Sequence, residues 1–436
     1  MQTATQAPPR NGAGTPGAPA SDPPVMYRGA ALRAPKRFLA GTHRYASPEE
    51  TLERIRPHLR TAGITRLADV TGLDRISIHT VIAQRPNAKS LSNSAGKGFS
   101  LAAATVSAAM EGIEIYHAEE MRLPRLRAPY DDLHLHGAAI PLDDLPLARR
   151  PLFSRARDEA WVRGWDLLGQ EEVLVPEALV AMAPLPEQRP ALSVPFPMGS
   201  NGLASGNHFL EAACAALLEV VERDAVACHV MAQRRGWFFP RVRLETVEHP
   251  LVRDLVERLA RSQVQLLLYD ATVDTAVPVY VAYIYDRESR HSGMYKGYGA
   301  HLDPETAMIR AVTEAVQSRV VYIAGSRDDY FRHDALLHRL GDDRGTVESL
   351  ERYPPEVDAR ERASRATGSF EGDIAVLLGD LRGAGIRQAI LLDLQHEEIG
   401  IPVVRAIVPG MEGYMFQHYQ PGRRAAAFTE AHAGAR

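Results

Sequence analysis

NHFLEAACAALLEVVERDA, Asn207 to Ala225, is the stretch on which the reading of this chain turns. It is apolar on nearly every side, the pattern of a buried helix, yet Glu211, Glu219 and Glu222 stand at i, i+8 and i+11. At roughly 100° per residue these three carboxylates fall within an arc of about 80°, and Arg223 follows them. Two further segments share the habit. LAAATVSAAMEGIEIY, Leu101 to Tyr116, sets Ser107, Glu111 and Glu114 at i, i+4 and i+7, a single polar stripe on an aliphatic cylinder. ETAMIRAVTEAVQSR, Glu305 to Arg319, repeats that spacing with Arg310, Glu314 and Gln317.

A solvated face would explain one such helix. Surface faces, however, mix Lys, Arg and Glu over a wide arc, whereas the first two stripes are narrow, acidic and free of lysine. Stacked carboxylates repel, and partial burial makes each costlier to ionise, so a positive partner is required. Oxygen ligands in such numbers suit a hard cation, Mg2+ above all, shared with phosphate oxygens. The pattern therefore predicts a Mg2+–polyphosphate site between helices. Lys97 lies in SNSAGKGFS, which reads as a Gly loop opening into the helix at Leu101, where amide groups favour anions. It is no Walker A loop, because Leu91 and Gly98 stand where that motif needs Gly and Ser or Thr. A plain turn explains the glycines equally well. Arg223 and Arg310 are stronger phosphate candidates, the alternative for each being a salt bridge to a neighbouring glutamate.

Outward from these helices, the 436 residues are 45% hydrophobic and 24% charged, ordinary globular usage with enough chain for a sizeable core. Fifty Lys and Arg against 54 Asp and Glu give a net charge of −4, which speaks against nucleic acid as a partner. Cys214 and Cys228 stand alone, so neither a disulfide framework nor a thiolate zinc site is available. No uncharged apolar run reaches membrane-spanning length; the expectation is a soluble, cytoplasmic protein. His134, His136 and the His396-Glu397-Glu398 run lack metal-site spacing and read as surface features. No GxSxG turn is present, and Cys228 reads as a small buried hydrophobe.

Residues 1–25 read as a disordered tail, 26–420 as one catalytic domain, 325–372 as a charged, mobile excursion within it, and 421–436 as a polar tail. Ser47, Pro48 and Glu50 form a capping box before a helix weakened by Pro57. Strands are expected at 66–70, 78–83, 264–269, 277–285, 388–394 and 403–408, with helices from 101, 207, 303 and 373. Residues 122–200 are patchy and Pro-rich, and no tandem repeat of 20–50 residues is visible. Helices and strands interleave, which leaves α/β and α+β both open.

SNGLASGNHFLEAACAALLEVVERDA, SAAMEGIE and RAVTEAVQSR, at these separations, resemble the nucleotide-binding signature of the YcaO superfamily, over about residues 27 to 410. The resemblance implies an unusual α/β fold, commonly dimeric, with the ATP site between acidic helices and β-sheets. It implies Mg2+ at Glu111, Glu114, Asn207, Glu219 and Glu222, and ATP at Ser107, Glu211, Arg223, Glu314 and Gln317, to which Lys97 and Arg310 are added here. The family activates peptide backbone amides with ATP. A nucleophile adds to the carbonyl, the oxyanion takes the γ-phosphoryl group, and loss of phosphate leaves C=S or a C=N ring. No covalent protein nucleophile is implied.

GTHRYASPEETLERIRPHLRTAGITRLADVTGLDRISIHTV and the later HAEE resemble members that pair with a TfuA-type protein and are associated with thioamide formation. Ser77 and His79 replace the usual Gly and Pro there, and Asn93-Ser94-Ala95 replaces a common Val-Ser-Gln. The C-terminal PGRRAAAFTEAHAGAR lacks the PxPxP ending usual among azoline-forming members. Thioamidation of a precursor peptide or protein, with a TfuA-type partner, is therefore the first expectation. Azoline cyclodehydration with a separate recognition protein is the second, and a catalytically idle nucleotide-binding scaffold the third.

Overall fold

The computed structural model describes residues 22–145, 154–182, 196, 198–237, 239–286, 293–326, 344–413 and 421–432. After a small hairpin of β1 (Val25–Tyr27) and β2 (Ala30–Leu32), α1 (Pro48–Ile55) begins at Ser47. The expected capping box is formed: Glu50 N donates to Ser47 Oγ, and Ser47 N donates to Glu50 Oε2. Pro57 falls in a 3-10 turn, Arg56–His58, that follows α1. Strands β3 (Arg66–Asp69), β4 (His79–Gln84) and β5 (Asn93–Gly98) make an antiparallel sheet, and α2 (Leu101–Glu119) packs across it.

The patchy region supplies β6 (Leu126–Pro129), α3 (Tyr130–Leu135), β7 (Asp158–Asp166) and β8 (Glu171–Pro176). Beyond it come β9 (Leu203–Ser205), the long α4 (Phe209–Gln233), β10 (Arg241–Arg243), α5 (Pro250–Arg261), β11 (Val264–Asp270), β12 (Val279–Asp286), β13 (Tyr295–Ala300) and α6 (Pro304–Ala324). The chain continues through α7 (Arg344–Glu351), β14 (Pro355–Asp358), α8 (Phe370–Gly383), β15 (Ile390–Asp393), β16 (Val403–Ile407) and α9 (Arg423–Ala431). A six-stranded sheet runs β6-β7-β15-β16-β9 with β8 beside β7, and a five-stranded sheet runs β13-β12-β11-β10-β14. Among the described strands only β10 and β14 pair in parallel. The mixed α/β class therefore holds, built on largely antiparallel sheets.

The three-stranded sheet recurs within the five-stranded one. The unit α1-β3-β4-β5-α2 recurs as α5-β11-β12-β13-α6, a helix, an antiparallel meander and a second helix. The two long helices correspond at a constant offset of 203 residues: N-cap Ser100 with N-cap Asp303, Ser107 with Arg310, Glu111 with Glu314, and Glu114 with Gln317. Gly96 and Gly299 share this register. A Cβ on Gly96 would sit 2.0 Å from Ala108 N and 2.3 Å from Ala104 O; one on Gly299 would sit 2.2 Å from Ala307 O and 2.6 Å from Ala311 N. The glycines thus let each helix backbone lie directly on its edge strand.

Three expectations need correction. SNSAGKGFS is not a Gly loop: Lys97 lies within β5, opposite Thr80, and neither Gly96 nor Gly98 has positive φ. Of 325–372, residues 327–343 lie outside the described residues, but the rest is built in: Leu350 is buried, β14 joins a sheet, and α8 starts at its Ser369 cap. The C-terminal stretch carries α9, whose first turn donates Gly422 N and Ala425 N to Glu412, while Arg424 pairs with Asp224 on α4. The tail reading for 1–25 meets the fold at Asp22, which accepts from Ser369 Oγ; residues 1–21 lie outside the described residues.

Candidate active site

A cavity of ≈ 690 Å3 lies between α2, α4 and α6, within the range of roughly 300–1,000 Å3 typical of ligand sites. All twelve residues singled out from the sequence line it: Lys97, Ser107, Glu111, Glu114, Asn207, Glu211, Glu219, Glu222, Arg223, Arg310, Glu314 and Gln317. The stripes face inward because the opposite sides of these helices are spent on the cores. Ala104, Ala108 and Ile113 of α2, Leu217 and Val221 of α4, and Ala311 and Val312 of α6 are buried in them.

Five of the carboxylates are pinned by backbone N–H groups of edge strands and one turn. Ala95 N donates to Glu111 (3.0 Å), Ser205 N and Oγ to Glu114 (2.8 and 2.7 Å), and Asn207 N to Glu211 (2.7 Å). Ala300 N donates to Glu222 (2.9 Å) and Tyr298 N to Glu314 (3.4 Å). Glu111 and Glu314 thus bind equivalent positions of the two repeats, Ala95 and Tyr298. Such bonds fix each carboxylate while leaving lone pairs for another ligand. Gln317 differs from its counterpart Glu114: its amide donates to Ala95 O, which a carboxylate cannot do.

The electrostatics are strained in the direction a cation relieves. Burial, ahead of its neighbour Glu111 and against the Ser205 hydrogen bonds, pushes Glu114 up to about 8. Burial likewise raises Glu219, against the pull of Arg223, Arg310 and Arg405, and raises Glu222, with Glu314 adding to it. Glu314 goes the other way: burial opposes its ionisation, but Lys97, Arg223 and Arg310 outweigh it. Lys97 Nζ is 3.3 Å from Glu314 and Arg310 Nη2 is 3.8 Å from Glu222. Arg310 Nε is buried and meets no acceptor among the described residues, a donor waiting for an anion.

The N-terminal segment supplies two residues that the sequence reading passed over. Arg44 lines the cavity with its guanidinium 3.7 Å from Glu211, and Thr51 Oγ1 accepts from Asn207 Nδ2 at 2.9 Å. The one local signal was a polar turn, Gly41 to Arg44, just before the capping box. His134 and His136 are exposed as expected, but His396 is buried, its ring centroid 4.4 Å from that of His117, and does not line the cavity. Cys228 is buried in the core around α4, and burial pushes its thiol far up.

The fold has counterparts. It superposes on a heterocyclase in complex with substrate and cofactor with a TM-score of 0.75 at 25% identity, over 92% of this chain and 56% of that one. It also superposes on YcaO from Methanopyrus kandleri bound with AMPPCP and Mg2+, with a TM-score of 0.68 at 26% identity, over 88% of this chain and 99% of that one. By sequence it is 34% identical over 406 residues to an uncharacterized protein in the tfuA 3' region of Rhizobium leguminosarum bv. trifolii, covering 89% of this chain and 94% of that protein. It is 35% identical over 392 residues to an uncharacterized protein of Methanothermobacter thermautotrophicus, covering 86% and 97%. Residues 95–412 match the family described as YcaO cyclodehydratase, ATP- and Mg2+-binding. The helices, the inward acidic stripes and these matches agree: the chain belongs to the YcaO family of ATP- and Mg2+-dependent enzymes.

Proposed function

We propose that this chain is a peptide-backbone thioamidation enzyme that acts on a ribosomal peptide or protein, as a homodimer and with a TfuA-type partner. The observation that carries the ATP site is the convergence of the three helical stripes on one cavity whose carboxylates are costly to ionise. That donor set fits divalent cations: Glu111, Glu114, Asn207, Glu219 and Glu222 would hold Mg2+. Lys97, Arg44, Arg223 and Arg310 would take the phosphates, Arg310 Nε meeting no acceptor among the described residues. Ser107, Glu211, Glu314 and Gln317 would complete the nucleotide contacts. Bound Mg2+–ATP supplies a phosphoryl group that converts an amide oxygen into a leaving group. The protein's share is to fix the carboxylates through backbone N–H groups, to neutralise polyanion charge with arginines, and to need no nucleophile of its own.

The likeness to a protein of a tfuA 3' region, along nearly its whole length, supports thioamide over azoline as the outcome. Mass spectrometry of the modified peptide tests it: exchange of O for S adds ~16 Da, whereas cyclodehydration removes ~18 Da, both through the same phosphoryl activation. Loss of water from a Cys-containing peptide would replace the thioamide reading with the cyclodehydratase one. Product formation that survives Glu111→Gln combined with Glu222→Gln would leave only a scaffold.

A further inference from the structure

Residues 33–46 precede the segment matched by the family, yet they cover one wall of the cavity. The backbone runs as a strap along the start of α8: Phe370 N donates to Ala34 O, Ala34 N to Glu371 Oε2 (2.7 Å), and Lys36 N to Gly368 O. Phe38 and Arg44 then close a tight turn, Arg44 N to Phe38 O at 2.8 Å and Phe38 N to Arg44 O at 3.1 Å. Gly41, Thr42 and Arg44 of that turn line the cavity.

One buried cation joins strap, turn and helix. Lys36 Nζ is 2.6 Å from Asp373 Oδ2, with both side chains 1% exposed, and it donates to Thr367 O (2.8 Å) and His43 Nδ1 (3.0 Å). Asp373 Oδ1 accepts from Thr367 N and Oγ1. The His43 ring stands edge-on to His301, centroids 4.6 Å apart, and His301 Nδ1 accepts from the N of Asp303, the N-cap of α6. His43, His301 and Asp373 bring ligand atoms within 4.8 Å of one another, as a metal site would. The Lys36 ammonium, however, is bonded to two of the three, so a cation already serves them.

We infer that Lys36, His43 and Asp373 are positioning residues, an ammonium-centred latch that holds the Gly41–Arg44 turn over the nucleotide phosphates. A buried pair contributes little net stability but is costly to break, which suits a device that fixes geometry. Its members touch neither Glu211 nor the cavity; they act through the turn that carries Arg44. This rests on the reading of the cavity as a Mg2+–ATP site.

The test measures the Kd for Mg2+–ATP, the melting temperature and tryptic cleavage at Arg37 and Arg44 in wild type, Lys36→Met, His43→Ala and His43→Gln. Lys36→Met should weaken nucleotide binding about tenfold, the worth of one charge-assisted hydrogen bond, and should hasten cleavage at those two arginines over other sites. His43→Gln keeps an acceptor for Lys36 and should restore what His43→Ala loses. Folded variants with lower melting temperature but unchanged Kd would reduce the latch to a structural pair and overturn the inference. If Lys36→Met does not fold, the two His43 variants decide alone. Wild type that fails to bind Mg2+–ATP would overturn the reading of the cavity instead.

Discussion

Binding of Mg2+–ATP should expel a proton from Glu114. Burial holds this carboxyl at about 8 rather than its ordinary 4.5, in spite of donors from Ser205 N and Oγ. At pH 7 such a group is mostly protonated, and stripping it costs on the order of 1 kcal/mol, or several-fold to tenfold in affinity. The folded value lies above the unfolded one, so the metal-free fold favours the neutral acid and loses stability as pH rises from 4.5 to about 8. A cation that claims the carboxylate abolishes that penalty. Titration calorimetry with Mg2+ in excess, repeated in buffers of different ionisation enthalpy, counts the protons. The expected release from Glu114 alone is most of a proton at pH 7, falling as pH rises toward 8 and beyond, and that share is missing in Glu114→Gln. Glu219 and Glu222, also raised by burial, can only add to the total. Heats independent of buffer at pH 7, or an equal count in Glu114→Gln, would refute the reasoning.

Arg310→Met should weaken Mg2+–ATP binding about ten- to hundredfold by equilibrium titration, because it removes a guanidinium beside Glu222 whose Nε meets no acceptor among the described residues. Arg85→Met strands Glu119, which also accepts from Ser90 N, in a pair whose side chains are 4% and 2% exposed. The expected loss is about 3–5 kcal/mol by denaturant titration, largely recovered when Glu119→Leu is added. Gly96→Ala drives a methyl to within 2.0 Å of Ala108 N and should cost at least about 3 kcal/mol. Gly379→Ala, exposed inside α8 with nothing within 4 Å, should gain about 0.5–1 kcal/mol. Cys214 and Cys228 are buried with thiols pushed up by desolvation, so a thiol reagent should label neither until the protein is unfolded; rapid labelling of the native protein would contradict that burial.

The acidic stripes were legible because a helix announces its faces through spacing alone: once Leu101 to Tyr116 is helical, Ser107, Glu111 and Glu114 must share a side. The direction in which those sides point was legible too, since the remaining positions are small or aliphatic and had to be buried. What escaped was set by partners distant in the chain. Gly96 and Gly98 read as loop residues because glycine serves positive φ and close packing alike, and only the backbone of α2 above them distinguishes the two. The charges of 344–372 read as solvated, yet Asp358 binds Arg243 and Arg360, Asp270 binds Arg362, and Arg365 binds Asp380. The C-terminal helix is anchored by Glu412 and Asp224, which nothing in its own sequence indicates. The duplication stayed hidden because its counterparts have diverged, Ser107 against Arg310 and Glu114 against Gln317.

The backbone of Ala95 has two masters. Its N–H is claimed by Glu111 from one repeat and its carbonyl by Gln317 from the other, so a single amino acid on an edge strand joins the polar stripes of two helices. A substitution at either end, Glu111 or Gln317, therefore removes one of the two side-chain holds on the same backbone residue. One residue of backbone thus ties the acidic half of the cleft to the half that carries Gln317.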